Sequence, residues 1–183
     1  MTRPALFLDR DGVINIDHGY VHKPEDCEFL PGIFALVAQA NKQGYQVFVV
    51  TNQAGIGRGY YTEAVFHEFS RWQLEQFAAH GARIDKVYFC PHHPTGGIGQ
   101  YAINCDCRKP GTGMFLQAAA EFPVDFSRSV MVGDKLIDMQ AANNAGIPLR
   151  FLFAQAGEAP PEPSVALPFT VVTDLEQVKL PVL

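Results

Sequence analysis

The stretch Phe7-Leu8-Asp9-Arg10-Asp11-Gly12 joins a short apolar run, Ala5 to Leu8, to two carboxylates that lie two residues apart. The apolar run predicts a buried strand, because it is short and continuous. Asp9 and Asp11 would then leave the strand together at its carboxyl end, where open α/β sheets place their chemistry. Asp and Gly also form ordinary turns, so this stretch needs support from the rest of the chain.

Three later stretches give that support. They are Val49-Val50-Thr51-Asn52, Cys107-Arg108-Lys109-Pro110 and Met131-Val132-Gly133-Asp134. The first and the last each follow an apolar run, and the middle one ends a loop that follows a predicted strand. The carboxyl ends of parallel strands meet at one edge of a sheet, so the polar residues of all these stretches are expected to converge. These residues are Asp9, Asp11, Thr51, Lys109 and Asp134.

Apolar, β-branched runs alternate with helical patterns along the chain. Strands are predicted at residues 5–8, 46–50, 86–89, 129–132 and 149–153, with an edge strand at 169–172. Helices are predicted at residues 33–40, after Thr62, at 113–122, before Gly146 and near Leu175. This alternation predicts an α/β fold with a Rossmann-like, doubly wound, mainly parallel sheet and helices on both faces. Residues 1–183 are expected to form a single domain without a large cap domain, and residues 17–31 are the best candidate for a lid.

Two local patterns follow the second predicted strand. Gly55-Ile56-Gly57-Arg58-Gly59 has the spacing G-x-G-x-G, unlike the dinucleotide-binding pattern, and no Walker lysine follows it. It therefore predicts a flexible loop near the site. Thr62 is expected to cap the next helix, whose core-facing stripe is predicted to include Val65, Phe69 and Trp72.

Length and composition limit the classes of protein to consider. The chain has 183 residues, of which 48% are hydrophobic and 18% charged, as in a soluble globular protein. A formal net charge of −5 argues against a nucleic-acid-binding surface, although a local cationic pocket can still bind a small anion. The sequence has neither a signal peptide's apolar segment nor a run of transmembrane length. We therefore expect a cytoplasmic protein without membrane contacts, and the lack of an evident interface stripe favours a monomer.

The expected convergence places three carboxylates beside a hydroxyl and an ammonium group. Carboxylates repel one another unless a cation lies between them, and their oxygens suit Mg²⁺, which also accepts phosphate oxygens. An EF-hand calcium loop does not fit, because counting from Asp9 puts glycine at position 4 and Tyr20 at position 12. A cation and Lys109 would offset the repulsion between a phosphate and an attacking Asp9 carboxylate.

The complete set of motifs resembles the haloacid-dehalogenase-like phosphohydrolase superfamily. The matching residues, in order, are Asp9-Arg10-Asp11-Gly12, Thr51-Asn52, Lys109, and Gly133-Asp134 with Asp138. The resemblance implies that Asp9 is a nucleophile that becomes an aspartyl-phosphate. It implies that Asp11 protonates the leaving group and then activates water, while Thr51 and Lys109 hold the phosphoryl oxygens.

The same resemblance implies how Mg²⁺ is bound. Its protein ligands would be Asp9, Asp134 and the backbone carbonyl of Asp11. Asp138 would support the metal shell through water or orient Lys109.

A Cys- and His-rich insertion at residues 90–110 predicts a second metal site. Its candidate ligands are Cys90, His92, Cys105 and Cys107. Three thiolates and an imidazole suit a closed, structural zinc site. His93 is an alternative to His92 that spacing does not exclude, and Cys27 lies outside the set. Because Cys107 directly precedes an Arg-Lys pair, zinc here would fix where these two cations point.

The zinc set followed by Arg-Lys-Pro resembles the histidinol-phosphatase-like branch of the superfamily, and the resemblance extends to about residue 150. It implies a phosphorylated sugar as the small-molecule substrate, with Arg108 and Lys135 contacting a second phosphate. The implied substrate contacts are Asp17, His18, Gly19, Tyr20, Asn52, Gln53, Ala54, Arg108 and Lys135. Hydrolysis of histidinol phosphate, general sugar-phosphatase activity, phosphotransfer to an alcohol, and an inactive zinc-stabilised binding module stay as alternatives.

Overall fold

The computed structural model describes residues 1–182, and within them six strands form one sheet. The strands are β1 (Ala5–Leu8), β2 (Gln46–Asn52), β3 (Lys86–Cys90), β4 (Val130–Gly133), β5 (Leu149–Phe153) and β6 (Thr170–Val172). Their order is β3-β2-β1-β4-β5-β6, and every neighbouring pair is parallel. The α-helices are α1 (Ile33–Lys42), α2 (Ala54–Gly57), α3 (Glu63–Ala79), α4 (Gly113–Glu121) and α5 (Leu136–Asn144). The predicted parallel α/β sheet is confirmed, and the predicted short helix near Leu175 is a 3-10 turn.

Alternate residues of the central strand face two separate hydrophobic cores. Leu6 and Leu8 pack in one core with α1 and the end of α3. Phe7 packs in the other core with Phe48 and residues of α4 and α5. Because both faces of β1 are covered, the whole strand is buried, which explains its continuously apolar sequence. The predicted arrangement of helices on both faces is confirmed.

The chain changes direction beside β1. It passes from β1 outward through β2 to β3, and then crosses back to β4 on the other side of β1. Leu8 is in register with Val49 of β2 and with Val132 of β4, so these three strands end close together. Connections that diverge at such a point leave a crevice at the carboxyl edge of the sheet, which is where α/β proteins bind ligands.

The predicted core-facing stripe of α3 was partly wrong. Thr62 caps the helix as expected, since its hydroxyl accepts a hydrogen bond from the backbone N–H of Val65. Phe69 is buried, but Val65 and Trp72 are only half-buried. The buried face consists of Phe66, Phe69, Ser70, Gln73 and Phe77. It includes polar residues because α3 packs against the polar loop after β1 as well as against apolar side chains.

The prediction of a flexible loop at residues 55–59 was also wrong. Residues Ala54–Gly57 form the short helix α2, and Gly55, Ile56 and Gly57 are all buried. A Cβ atom on Gly57 would overlap the backbone carbonyl of Pro91. Gly57 is therefore explained by close packing of this turn against the insertion that follows β3, whereas a Cβ atom on Gly55 would overlap the ring of Tyr61.

The insertion between β3 and α4 is irregular and contains a 3-10 turn at Gly99–Tyr101. Residues 17–31 are likewise irregular, apart from a 3-10 turn at Pro24–Asp26. Among the described residues, no helix has the length and apolar character needed to span a membrane.

Candidate active site

Polar residues that follow β1, β2 and β4 meet at the carboxyl edge of the sheet. They line a cavity of about 380 Å³. Its walls include Asp9, Asp11, Asp17, Gly19, Tyr20, Asn52, Gln53, Ala54, Gly55, Tyr61, Arg108, Lys109, Lys135, Ile137 and Asp138. The sequence motifs therefore converge as the parallel topology requires.

Lys109 lies between two carboxylates. Its Nζ is 2.9 Å from Asp9 Oδ1 and 2.7 Å from Asp138 Oδ1, and it donates a hydrogen bond to the carbonyl of Val50 at 2.7 Å. Burial opposes its charge, but the carboxylates of Asp138 and Asp9 raise the pKa of Lys109 overall. The side chain therefore stays a cation beside the Asp9 carboxylate although it is only 2% exposed.

Asn52 holds the backbone of Lys109 in place. Its Oδ1 accepts a hydrogen bond from the Lys109 N–H at 2.9 Å, and its Nδ2 donates to the Lys109 carbonyl at 3.2 Å. The neighbouring Thr51 is buried at the end of β2, and its hydroxyl accepts a hydrogen bond from Gln53 Nε2 at 2.8 Å. Thr51 thus lies behind the cavity wall next to Gln53.

Asp9, Asp134 and Asp138 form a cluster whose carboxylate oxygens lie within 4.8 Å of one another. Burial raises the pKa of Asp9 to about 6, although Lys109 opposes the shift. Burial, with repulsion from Asp9 and Asp138, raises the pKa of Asp134 to about 9. Three charged carboxylates at this spacing need a positive charge, so the cluster has the chemistry of a hard-cation site.

The carboxylate oxygens of this cluster that remain available to a cation belong to Asp9 and Asp134. Asp138 Oδ1 pairs with Lys109, and its Oδ2 accepts hydrogen bonds from the backbone N–H groups of Asp134 and Lys135, both at 3.1 Å. Within residues 1–182, Asp134 Oδ1 is buried without a hydrogen-bond partner. This orphaned oxygen fits a metal ligand. The carboxylate of Asp11 lies outside the cluster, and the predicted role of its backbone carbonyl stays a prediction.

Two glycines allow the carboxylates to approach this closely. Gly12 has φ +87°, and a Cβ atom there would overlap the Asp134 carboxylate. A Cβ atom on Gly133 would overlap the side chain of Asp138. The glycine after Asp11 is thus required by a contact between loops that are distant in sequence, and the glycine before Asp134 by a contact with the first turn of the helix that follows it.

Asp11 faces the cavity within a group of hydrogen-bond donors. Its two oxygens accept bonds from Arg10 at 3.0 Å, from Asn15 Nδ2 at 3.1 Å and from Gln53 Nε2 at 3.1 Å. Gln53 is held in turn by the hydroxyl of Tyr61. Sequence reasoning missed Arg10, Asn15 and Tyr61. An arginine between two site carboxylates, at the end of a buried strand, is the signal that could have found the first of them.

The predicted substrate contacts fall into two groups. Most of them line the cavity, and Lys135 Nζ lies there 3.5 Å from Asp17 Oδ2 and 4.0 Å from Asp134 Oδ2. His18 lines a neighbouring depression instead, where its Nε2 lies 3.2 Å from Glu28 Oε2. Residues 17–20 otherwise form one wall of the cavity, beside the candidate lid.

The cysteine and histidine side chains of the insertion form a second cluster. Cys90, His92, Cys105 and Cys107 each offer a ligand atom, and these atoms all lie within 4.8 Å of one another. Burial, with a hydrogen bond from Cys107, raises the pKa of the Cys90 thiol, a cost that a bound cation would remove. His93 Nδ1 faces elsewhere and accepts a hydrogen bond from the Gly96 N–H at 2.8 Å. Spacing alone did not separate these two histidines, but the geometry favours His92.

Comparison with known proteins extends the similarity to nearly the whole chain. The HAD-hydrolase-like family matches residues 106–178. The D-glycero-beta-D-manno-heptose-1,7-bisphosphate 7-phosphatase of Vibrio cholerae is 46% identical over 178 residues, which cover 97% of this chain and 95% of that protein. The D-glycero-alpha-D-manno-heptose-1,7-bisphosphate 7-phosphatase of Burkholderia mallei is 54% identical over 147 residues, covering 80% of this chain and 78% of that protein.

A solved structure has the same architecture. It is the D,D-heptose 1,7-bisphosphate phosphatase of B. bronchiseptica in a complex with magnesium and phosphate. It matches with a TM-score of 0.76 and 31% identity over 94% of this chain and 93% of the other. The carboxylate cavity and these extended similarities lead to one conclusion: the chain belongs to the D-glycero-D-manno-heptose-1,7-bisphosphate 7-phosphatases, phosphoric monoester hydrolases with the HAD-like Rossmann fold.

Proposed function

We propose that this chain removes the 7-phosphate of D-glycero-D-manno-heptose 1,7-bisphosphate and releases heptose 1-phosphate. The observation that carries the proposal is the buried Asp9 carboxylate, 2.9 Å from Lys109 Nζ, in a cavity that also holds Arg108 and Lys135. This cavity offers a nucleophile with a cation beside it. The two further cations suit the second phosphate of a bisphosphate.

In the first step, an Asp9 carboxylate oxygen attacks the phosphorus atom of the 7-phosphate. A new O–P bond forms on Asp9 while the bond from phosphorus to the C7 oxygen breaks. Asp11 gives its proton to this leaving oxygen, so that an alcohol departs and not an alkoxide. Lys109 lies beside Asp9 and offsets part of the negative charge that the phosphate brings.

In the second step, water attacks the aspartyl-phosphate. Asp11, now a carboxylate, takes a proton from that water as its oxygen bonds to phosphorus. The bond between phosphorus and Asp9 breaks, which releases phosphate and restores both carboxyl groups.

Mg²⁺ fits the carboxylate cluster, where Asp9, Asp134 and the backbone carbonyl of Asp11 would hold it. When bound, it neutralises charge on the phosphate and orients it toward Asp9. Thr51 and Lys109 are proposed to hold the phosphoryl oxygens, and residues 17–20 and 52–54 to contact the sugar. The product, heptose 1-phosphate, would supply nucleotide-activated heptose for the lipopolysaccharide core. The enzyme is proposed to be cytoplasmic and monomeric.

The substrate assignment is tested by phosphate release from purified protein with Mg²⁺. Both anomers of heptose 1,7-bisphosphate and histidinol phosphate are compared at equal concentrations. We expect kcat/KM for one bisphosphate anomer to exceed that for histidinol phosphate by about 10- to 100-fold, since a charge pair to a second phosphate contributes about 1.5–3 kcal/mol. Preference for histidinol phosphate would overturn the assignment and leave Arg108 and Lys135 without a phosphate partner.

Zinc in the cluster of Cys90, His92, Cys105 and Cys107 is proposed to be structural, because four protein ligands complete a tetrahedral shell. It would fix the course of the chain into Arg108, whose guanidinium donates a hydrogen bond to the carbonyl of His92 at 3.3 Å. The cations of the cavity would thus be positioned by a metal that takes no part in the chemistry.

Replacing Cys107 by serine is expected to abolish stoichiometric zinc binding, because it removes one of four ligands. KM for the bisphosphate should rise about tenfold as Arg108 loses its fixed position. Zinc is measured by elemental analysis beside steady-state kinetics. Cys27→Ser is the matched control, since Cys27 lies outside the cluster, and it should keep both zinc and KM. Full zinc content in Cys107→Ser would remove Cys107 from the ligand set.

A further inference from the structure

Arg10 is a buried cation between the two carboxylates of the first motif. Its side chain is only 2% exposed and does not line the cavity. Its Nη2 lies 3.0 Å from both Asp11 oxygens, and its Nε donates to Asp11 Oδ1 at 3.3 Å. In the part of the chain that the structure describes, Asp11 is the one carboxylate that forms an ion pair with Arg10. The guanidinium is therefore directed at Asp11.

Other elements also contact the guanidinium, although its Nη1 is buried without a hydrogen-bond partner within residues 1–182. Nη2 also donates a hydrogen bond to the carbonyl of Val21, in the candidate lid, at 2.6 Å. The guanidinium carbon lies 5.1 Å from the ring centre of Phe69 and 5.9 Å from that of Phe66, both on α3. These contacts are cation–π interactions that desolvation strengthens. Arg10 is thus held by three separate parts of the fold and has little freedom to move.

The carboxylate of Asp11 needs such support. Its side chain is 18% exposed at the cavity, and carboxyl groups have a broad terminal torsion. Asn15 and Gln53 each donate one hydrogen bond to it, whereas Arg10 alone contacts both oxygens. Because Nη2 contacts both oxygens and Nε adds a second bond to Oδ1, the guanidinium restricts the orientation of the carboxylate as well as its position.

We propose that Arg10 is a positioning residue for the hydrolysis. It holds the Asp11 carboxyl group in the orientation from which Asp11 exchanges a proton with the leaving oxygen, and it does not touch the substrate. This inference rests on the proposed function, in which Asp11 is the acid and base. Loss of Arg10 should therefore impair proton transfer more than binding or nucleophilic attack.

The choice of leaving group distinguishes a loss of proton transfer from a loss of binding or of nucleophilic attack. An alkyl phosphate, such as the sugar 7-phosphate, must be protonated as it departs, whereas p-nitrophenolate leaves without a proton. The value of kcat/KM reports the steps through formation of the aspartyl-phosphate, so the ratio of alkyl to aryl kcat/KM measures protonation by Asp11. A general loss of structure would lower both values together.

The experiment compares Arg10→Lys and Arg10→Gln with wild type on heptose 1,7-bisphosphate and on p-nitrophenyl phosphate. If wild type does not hydrolyse the bisphosphate, the best alkyl phosphate of a substrate panel replaces it. We expect Arg10→Gln to lower the alkyl kcat/KM by about 100-fold and Arg10→Lys by about tenfold. The aryl kcat/KM should change by less than about threefold, since proton transfer does not limit that step. If Arg10→Gln does not fold, the result for Arg10→Lys alone decides whether the inference holds.

Arg150→Lys is the matched control for the loss of a buried guanidinium. Arg150 is 7% exposed in β5 and donates hydrogen bonds to the backbone carbonyls of Pro168 and Ile147, away from the cavity. Its ratio of alkyl to aryl kcat/KM should equal that of wild type. If the Arg10 variants lose kcat/KM equally on the alkyl and the aryl phosphate, or lose none on either, the inference is overturned.

Asp11→Asn separates failure of this inference from failure of the proposed function. If Asp11→Asn lowers the alkyl-to-aryl ratio and the Arg10 variants do not, the inference is wrong and the acid role of Asp11 stands. If Asp11→Asn leaves the ratio unchanged, the proposed role of Asp11 is wrong, and the role of Arg10 falls with it. Failure of wild type on both bisphosphate anomers contradicts only the substrate assignment.

Discussion

Replacing Asp9 by asparagine is expected to lower turnover by about 10⁴-fold or more, as loss of a nucleophile does in other enzymes with covalent intermediates. An amide oxygen in the same place still accepts the hydrogen bond from Lys109 Nζ, which is 2.9 Å from Asp9 Oδ1. It does not form an aspartyl-phosphate. The fold and the zinc content should therefore be unchanged while the chemistry stops.

The measurement is phosphate release with Mg²⁺, beside the melting temperature and the zinc content of each preparation. Asp125→Asn is the control, because Asp125 lies far from the cavity, where it caps a 3-10 turn and pairs with Arg128. Its turnover should match wild type. Residual activity of Asp9→Asn above about 1% of wild type, in a clean preparation, would refute Asp9 as the nucleophile.

Replacing Lys109 by methionine is expected to have the second-largest effect, on stability as well as on turnover. The change leaves Asp9 and Asp138 buried side by side without the cation that now lies 2.9 Å and 2.7 Å from them. Breaking a buried charge pair in this way costs about 3–5 kcal/mol of unfolding free energy. Turnover should fall by at least about 1000-fold, because the charge beside the nucleophile is lost.

Urea denaturation with and without Mg²⁺ measures the stability change. Lys86→Met is the matched control, since the Lys86–Glu121 pair is exposed and should contribute at most about 1 kcal/mol. Mg²⁺ should restore part of the stability lost in Lys109→Met, because it supplies a positive charge to the same carboxylates. Equal destabilisation by the two substitutions would show that the buried pairs of Lys109 are not what stabilises the site.

The strands and helices were predictable because their signals are local. The predicted strand at residues 149–153 matches β5, and the helix predicted at 113–122 differs from α4 by one residue. Apolar runs, a threonine cap and glycines after helix ends act through neighbouring residues, so they can be read in one dimension. The convergence of Asp9 with Asp134 was predictable as well, because parallel strands end at one edge of the sheet.

The incorrect predictions concern contacts between distant segments. The glycines at 55 and 57 were interpreted as flexible, but both are buried, because Gly55 packs against Tyr61 and Gly57 packs against the insertion after β3. The buried face of α3 includes Gln73 because its side chain donates a hydrogen bond to Asn15 at 3.1 Å, in the loop after β1. A hydrophobic period does not predict a buried polar partner.

The sequence by itself determined the parallel α/β architecture, the order of the carboxylate motifs and the composition of the thiol cluster. Only the tertiary structure decided that His92 and not His93 joins the three cysteines, that His18 lies outside the cavity, and that Arg10 contacts both oxygens of Asp11. The physical reason is the separation in sequence over which each kind of interaction acts. Strand and helix signals lie within a few residues of one another, whereas side-chain direction depends on which distant groups satisfy a buried charge.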